Sequence, residues 1–579
     1  MALPSQTIRA GRLERGYRRE LGKLIAAGAA AKMWAKQPEF WTSDPAHARI
    51  IRNRLGWIGV LDAMRAQAAG LEAFAGEVHR EGLQHLVLLG MGGSSLAPEV
   101  FSLSFPPAAG AGRFLVLDST DPAAILEVEK TIDIGKALFI VASKSGKTLE
   151  TLSQFQYFHK RLADSGVNKP GAHFIAITDA GSPLEKLAAE NSFRKAFLNP
   201  ADIGGRYSAL SLFGLAPAAL WQVNLGELLD CAEAMRAACG PDSSAEQNPA
   251  LALGALIGAG ALEGIDKLVL LSTPALAPLG NWIEQLIAES TGKQNKGIVP
   301  VAGGAFPTPE TLAEGCVVAA LRLQGEASAK LDATLGEING RGVPVVEIQL
   351  GQPADLGAEF FKWEVATAAA GAVLGIDPFD EPNVQESKDN TARILDEFQA
   401  SGKMPIAPAQ FADEGIEFHQ PGANRSSAGP ARLSDGLRAF LAERKPGDYL
   451  AILAYVERNA ANAQQLDALR ELLNARLRLP VLLGYGPRYL HSIGQLYKGG
   501  PPTGIFLIIT AAKAEDVAIP GARYTFGQLQ MAQALGDLQS LEKRNKPAVR
   551  LHLTRGVAGI ETLQRAAEQA LASGRPAAP

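Results

Sequence analysis

The clearest chemical signal is a six-residue run, Ser143-Lys144-Ser145-Gly146-Lys147-Thr148, which directly follows the apolar stretch Ala137 to Ala142. A phosphate dianion is held by several donors converging on one point. A Gly/Ser/Thr-rich loop entering a helix N-terminus supplies them as backbone N–H groups and hydroxyls. A polar turn with an N-cap serine fits the same residues, and the run alone does not separate the two readings. Gly90-Met91-Gly92-Gly93-Ser94-Ser95 occupies the same strand-to-helix position one unit earlier. There glycine lets a ligand approach the backbone and Ser94 can bond a sugar hydroxyl, although G-x-G-G also serves as an ordinary tight turn.

The combination is more specific. GMGGSSLAP, SKSGKTLET, GGRYSALS (Gly204 to Ser211) and QLIAESTGK (Gln285 to Lys293) follow one another in an order and spacing that resembles the phosphoglucose isomerase family. DPFDEPNVQESK (Asp377 to Lys388) and LHSIGQLYKGGP (Leu490 to Pro501) extend the resemblance over nearly the whole chain from about Leu55 onward. It looks closest to the isomerase portion of fused transaldolase–phosphoglucose isomerase proteins, with no transaldolase portion expected. The resemblance implies the sugar isomerase (SIS) fold and the reversible interconversion of glucose 6-phosphate and fructose 6-phosphate. Carried over residue by residue, it implies that Ser143, Lys144, Ser145 and Thr148 form a phosphate loop and that Ser94 contacts the sugar. Gly205 and Gln285 join the substrate-binding set; Gln285 lies four residues before Glu289, on the same face of a helix. Glu289 matches the catalytic base, Arg206 the arginine beside the reacting carbons, Lys388 the lysine near the ring oxygen and His491 the histidine that assists ring opening.

These types suit the implied chemistry. Opening a hemiacetal ring takes an acid–base pair at the ring oxygen and the anomeric hydroxyl, for which His491 and Lys388 are suitable. A proton then moves between C2 and C1 through a cis-enediol, and one carboxylate, Glu289, can remove and return it on one face. Charge developing on O1 and O2 favours a fixed, always-charged fork such as Arg206. No metal or organic cofactor is expected. Each residue has a plainer reading: a solvated helix-end acid, a surface ion pair, a structural histidine, an exposed lysine. Two departures stand out. Glu381 occupies a place where the family commonly has Gln; a carboxylate there is expected to repel the phosphate end of the substrate, so Glu381 is left out of the site. His491 lies about 200 residues beyond the Glu289 segment. A third unit on the same chain is therefore expected to supply it internally, which permits an active monomer, with a homodimer as the alternative.

Elements that position such residues are legible too. HLVLLGMGG, ALFIVA, AHFIAITD and KLVLLSTP read as buried strands, each followed by loop and helical pattern, which argues for an α/β protein with parallel sheets. Multiple three-layer αβα units are expected. Residues 1–245 would hold N-terminal helices, packed outside the first sheet, plus the first unit. Residues 246–400 would form the second unit, and residues 435–579 a third carrying His491, beyond a turn-rich boundary from Ser401 to Asp435. DYLAILAYV, LPVLLGYG and GIFLIIT are its strands, AQQLDALRELLNARL a helix, and the closing GRPAAP a frayed tail. The segments after Gly357 and Tyr524 both begin like an aromatic-led helix, a faint hint that the third unit echoes an earlier one.

With 579 residues, 47% hydrophobic and 20% charged, the chain exceeds one core and is globular rather than disordered. Lys+Arg 56 against Asp+Glu 60 gives no global case for nucleic acid or an acidic membrane. Three cysteines, Cys231, Cys239 and Cys316, at no metal-finger spacing point to small core thiols in a reducing compartment. No signal peptide is recognisable, and Ala250 to Leu262 is too short to span a bilayer, so a cytoplasmic location is expected. Two other functions fit: an isomerase that also accepts mannose 6-phosphate, and a non-catalytic sugar-phosphate-binding regulator on the same fold. The second needs the phosphate loop but not Glu289, Arg206 or His491. The other histidines, His159 and His552 among them, receive no role.

Overall fold

A computed structural model describes residues 3–107, 112–244, 246–303, 306–421 and 431–572. The closing GRPAAP and residues 422–430 of the turn-rich boundary lie outside them. The chain opens on a strand, β1 (Ser5–Arg9). The first sheet then takes β2 (His85–Gly90), β3 (Phe114–Leu117), β4 (Ala137–Ala142), β5 (Phe174–Asp179) and β6 (Lys195–Asn199). They pair parallel in the order β3-β2-β4-β5-β6. All six residues of β4 are buried, as a strand covered by helices on both faces requires.

The second sheet holds β7 (Lys267–Ser272), β8 (Val299–Val301), β9 (Cys316–Leu323) and β10 (Val345–Leu350). Its far edge is β1, antiparallel to β10 with Ile8 opposite Val346. The mostly helical start expected from the sequence is present, but it is preceded by this strand, which joins the second sheet. SQTIR alternates exposed and half-buried residues on an edge, too short and polar a pattern to stand out. The third sheet contains β11 (Phe411–Asp413), β12 (Ile416–His419), β13 (Tyr449–Tyr455), β14 (Val481–Tyr485), β15 (Gly504–Ala511) and β16 (Ala548–Leu553), in the order β11-β12-β16-β15-β13-β14. Its two antiparallel strands, the edge β11 and its neighbour β12, begin inside the expected boundary, before residue 435.

Repetition lies in topology rather than in the two aromatic-led helices. Each sheet has a parallel core in the order second-first-third-fourth: β3-β2-β4-β5, β8-β7-β9-β10 and β14-β13-β15-β16. The helices Leu356–Leu374 and Phe526–Glu542 follow a fourth and a third strand respectively, so they are not equivalent. Helix Leu356–Leu374 is almost wholly buried and packs closely on helix Pro249–Leu262. A Cβ on Gly254 would stand 2.5 Å from the Ala366 carbonyl oxygen, so the small residues of the apolar run serve helix packing. Cys231, Cys239 and Cys316 are free and buried. No helix among the described residues is long and apolar enough to cross a membrane.

The third unit is fastened to the first by buried charge. Arg488, after β14, donates to Glu99 and Asp118 of the first unit, and Arg458 adds a second bond to Glu99. Burial pushes Glu99 up, but the two guanidinium groups outweigh it and hold the carboxyl near about 2. Removing one partner of such a cluster strands the rest. Arg488→Met is expected to destabilise the chain by about 3–5 kcal/mol in denaturant unfolding, and an unchanged midpoint would show that the linkage carries no stability.

Candidate active site

In an open parallel sheet, ligands bind beyond the strand carboxyl ends where the strand order reverses. In the first sheet that place lies between β2 and β4, and the loops leaving these strands are Met91–Ser95 and Ser143–Thr148. The second loop is drawn tight by its own hydroxyls. Ser143 Oγ and Thr148 Oγ1 are 2.9 Å apart, and Gly146 N–H donates to Ser143 Oγ at 3.1 Å. Gly146 takes φ +66°, which glycine adopts without strain. Thr148 is the N-cap of helix Leu149–Asp164, and its side chain makes no capping bond, so the first-turn N–H groups stay directed at the loop. Lys144 differs from expectation: its ammonium pairs with Asp179 at 2.5 Å and donates to the Ala201 carbonyl, so the side chain braces the loop from outside.

The glycine-rich loop serves loop packing. Gly92, at φ +54°, would place a Cβ 2.3 Å from the His491 carbonyl oxygen, and one on Gly93 would stand 2.2 Å from the Gly205 oxygen. The glycines therefore admit His491 and the Gly205-Arg206 turn, where sequence reading assigned them to ligand approach. Ser94 is buried on the same loop.

Arg206 is 2% exposed and splayed across the junction of the first two units. Its Nε donates to Ser290 Oγ at 2.8 Å, and Nη2 to the carbonyls of Pro378 and Asp380 at 2.9 Å. Nη1 faces two carboxylates, Glu381 at 3.1 Å and Glu289 at 3.5 Å. Glu289 lies near the end of helix Ala277–Thr291, with Gln285 one turn before it donating to Glu289 Oε2 at 3.1 Å. Burial raises the Glu289 carboxyl above its ordinary range; Arg206 opposes this and Glu381 reinforces it. Glu381 is thus a neighbour of Glu289 through Arg206. Lys293, buried, holds its loop by bonds to the Asp377 and Asp380 carbonyls.

The third unit closes the site. The Gln285 amide also donates to the His491 carbonyl at 2.9 Å. His491 Nε2 lies 2.8 Å from Glu150 Oε1, and Gln533 of helix Phe526–Glu542 donates to the same carboxylate oxygen at 2.7 Å. Burial pushes Glu150 up, but His491 and, more weakly, Lys388 bring its carboxyl below the ordinary value. Lys388 itself is exposed on helix Val384–Ser401, which packs against helix Phe526–Glu542 with Thr391 beside Gly536. One chain therefore brings the loop Ser143–Thr148, Arg206, Gln285, Glu289, His491 and Lys388 to one junction of its three units. The lone histidine after β14 thus has a carboxylate partner from another unit.

The profile described as Phosphoglucose isomerase matches residues 59–302, which include every one of these groups except Lys388 and His491. Over that stretch the chain is similar to the phosphoglucose isomerase family. It is 27% identical to glucose-6-phosphate isomerase of Methanocaldococcus jannaschii over 347 residues, 54% of this chain and 85% of that protein. It is 29% identical to the Rubrobacter xylanophilus glucose-6-phosphate isomerase over 369 residues, 55% of this chain and 84% of that one. Among solved structures, a glucose-6-phosphate isomerase from Chlamydia trachomatis superposes with a TM-score of 0.55 at 20% identity, over 68% of this chain and 88% of that chain. A hypothetical protein from Thermus thermophilus superposes at 0.57 and 22% identity, over 69% and 100%. At these identities the structural likeness speaks for the fold, parallel sheets flanked by helices.

Sequence reading passed over Glu150 and Gln533, and it excluded Glu381. Glu150 stands two residues past Thr148, inside the quoted stretch SKSGKTLET, so its only signal was position; its partner is 341 residues away. Gln533 lies mid-helix with nothing in its neighbourhood to mark it.

Proposed function

We propose that the chain interconverts glucose 6-phosphate and fructose 6-phosphate. The observation that carries this reading is that a buried carboxylate, Glu289, lies 3.5 Å from the buried guanidinium of Arg206 and is joined through Gln285 to His491, which is paired with Glu150. The loop Ser143–Thr148 holds the substrate phosphate through hydroxyls and helix N-terminal N–H groups. His491, oriented by Glu150, passes a proton between the ring oxygen and the anomeric hydroxyl, and the Lys388 ammonium supports the ring-oxygen side. Glu289 then takes the C2 proton and returns it to C1, while Arg206 stabilises the enediol oxygens. Isolated sugar-phosphate binding gives no reason to bury Glu289 against Arg206, so the regulator reading is the weaker one. A coupled assay of glucose 6-phosphate formation from fructose 6-phosphate tests the activity: turnover supports it, and tight binding without turnover refutes it. Mannose 6-phosphate as an alternative product is read in the same assay.

Because the site closes within one chain, we also propose that a monomer is active. Specific activity is expected to hold on dilution through any dimer dissociation; a parallel fall in activity and dimer would refute this. The buried free thiols support a reducing, cytoplasmic setting.

Glu381 supplies a pH prediction. Its charge helps to raise the Glu289 carboxyl. Glu381→Gln removes that contribution, so Glu289 ionises at lower pH and the acid limb of kcat/KM moves down. The limb of the wild type should lie above the ordinary carboxylate range. A limb that stays in place, or rises, in Glu381→Gln would separate Glu381 from the base.

A further inference from the structure

A cavity of about 310 Å³ opens at the carboxyl ends of β13, β15 and β16, lined by Tyr455, Thr510, Lys513, Asp516, Gln530 and His552 among others. None of its lining residues belongs to the site described above. Its place in the third sheet, between β13 and β15, is where that sheet's strand order reverses, the counterpart of the phosphate loop's place in the first.

The polar groups around it are unbalanced. Its acids are already engaged. Asp516 accepts from the N–H groups of Val517 and Gly527 and from Thr525 Oγ1. Asp121, reaching in from the first unit, accepts from Ala123 N–H, from Lys513 Nζ at 2.6 Å and from Gln530 at 3.2 Å. The donors are not exhausted. Arg550, two residues before His552 on β16 and so on the same face, is 2% exposed. Its Nη1 donates to Thr510 Oγ1, a lining group, at 3.2 Å, and Thr510 in turn meets His552 Nδ1 at 3.0 Å. Its Nε has no partner, and among the described residues no carboxylate comes within ion-pairing distance of the guanidinium. Glu417 of β12 acts on it only at longer range and is bonded to His419. Burial lowers Arg550 to about 10, the mark of a cation without a close counter-charge. Lys513, partly exposed, spends two bonds, on Asp121 and the Tyr455 carbonyl, and an ammonium has three to give. A buried guanidinium is retained at such cost where an anion meets it.

We propose that this cavity is a second ligand site, which takes the oxyanion of a small phosphorylated or carboxylated metabolite. Lys513 and Arg550 supply charge, and Thr510, Gln530 and His552 supply hydrogen bonds. The site adjoins the proposed active site through one helix: Gln530 lies one turn before Gln533, which holds Glu150.

The test uses the full chain carrying Ser143→Ala and Thr148→Val, which removes hydroxyls of the active-site loop, and titration calorimetry with inorganic phosphate and separately with succinate. Binding of at least one anion is expected, and Lys513→Gln should weaken it tenfold or more. Phosphate alone points to a phosphorylated ligand, succinate alone to a carboxylated one. Arg550→Gln should weaken binding as strongly; because Arg550 is buried, its melting temperature is measured alongside, and Lys513→Gln decides the matter if that variant unfolds. Failure of both anions to bind, or binding that Lys513→Gln leaves unchanged, overturns the proposal.

Discussion

Glu289→Gln is expected to lower turnover of fructose 6-phosphate by about 10²–10⁴-fold, the usual worth of a positioned general base, while substrate binding stays within a few fold. Glutamine keeps the length of the side chain and its place beside Gln285 and Arg206, so the loss is one of proton transfer rather than architecture. Stability should move the other way. Burial raises the Glu289 carboxyl in the folded chain. Between its ordinary pKa and that raised value the unfolded chain has lost the proton and the folded chain has kept it. Stability therefore falls as pH rises through this window. Glu289→Gln removes the penalty, so at neutral pH its unfolding midpoint should equal or exceed that of the wild type. Such an exchange of activity for stability marks a strained functional group. Equal turnover in the two proteins would remove Glu289 from the reaction.

Arg206→Lys is the second large effect. The guanidinium spans Ser290 Oγ, two carbonyls and two carboxylates at once, and a single ammonium cannot reach them all. Loss of a fixed donor to a developing oxyanion costs about 10²–10³ in kcat. Arg206 also opposes the upward shift of Glu289, so a less well placed cation lets that carboxyl rise and moves the acid limb of the rate profile to higher pH. The diagnostic feature is that turnover stays low above that limb, because the missing donor is not restored by ionising the base. Full recovery at high pH would reduce the role of Arg206 to tuning Glu289. Denaturant unfolding of the same variant reads the cost of disturbing a buried pair, about 3–5 kcal/mol.

How much of this could be read in advance depended on how local each signal was. The strands β2, β4, β5, β7, β13, β14 and β15 were visible because each is a continuous apolar run ending in turn residues. β1 is a short edge strand whose identity depends on a partner far away in sequence, and nothing in SQTIR names β10 as its neighbour; β11 and β12 form a short hairpin inside the turn-rich stretch. Likewise, the loop Ser143–Thr148 and the pair Gln285 and Glu289 are local patterns. Glu150 became meaningful only once β14 had carried His491 across to it. Gly92 and Gly93 were recognisable as constrained positions, but the reason, the approach of His491 and Gly205, is tertiary. The partners of Lys144 and Glu381, Asp179 and Arg206, were out of reach for the same cause: a charged side chain's counter-charge is set by the tertiary structure.

The central claim is that one carboxylate moves a proton between C2 and C1. Isomerisation of glucose 6-phosphate deuterated at C2, followed by the position of the label, tests it most directly. Transfer through Glu289 predicts a primary isotope effect, with deuterium appearing at C1 of fructose 6-phosphate in some turnovers and lost to solvent in the rest. Complete retention of deuterium at C1 in every turnover, as a direct hydride shift requires, would contradict it.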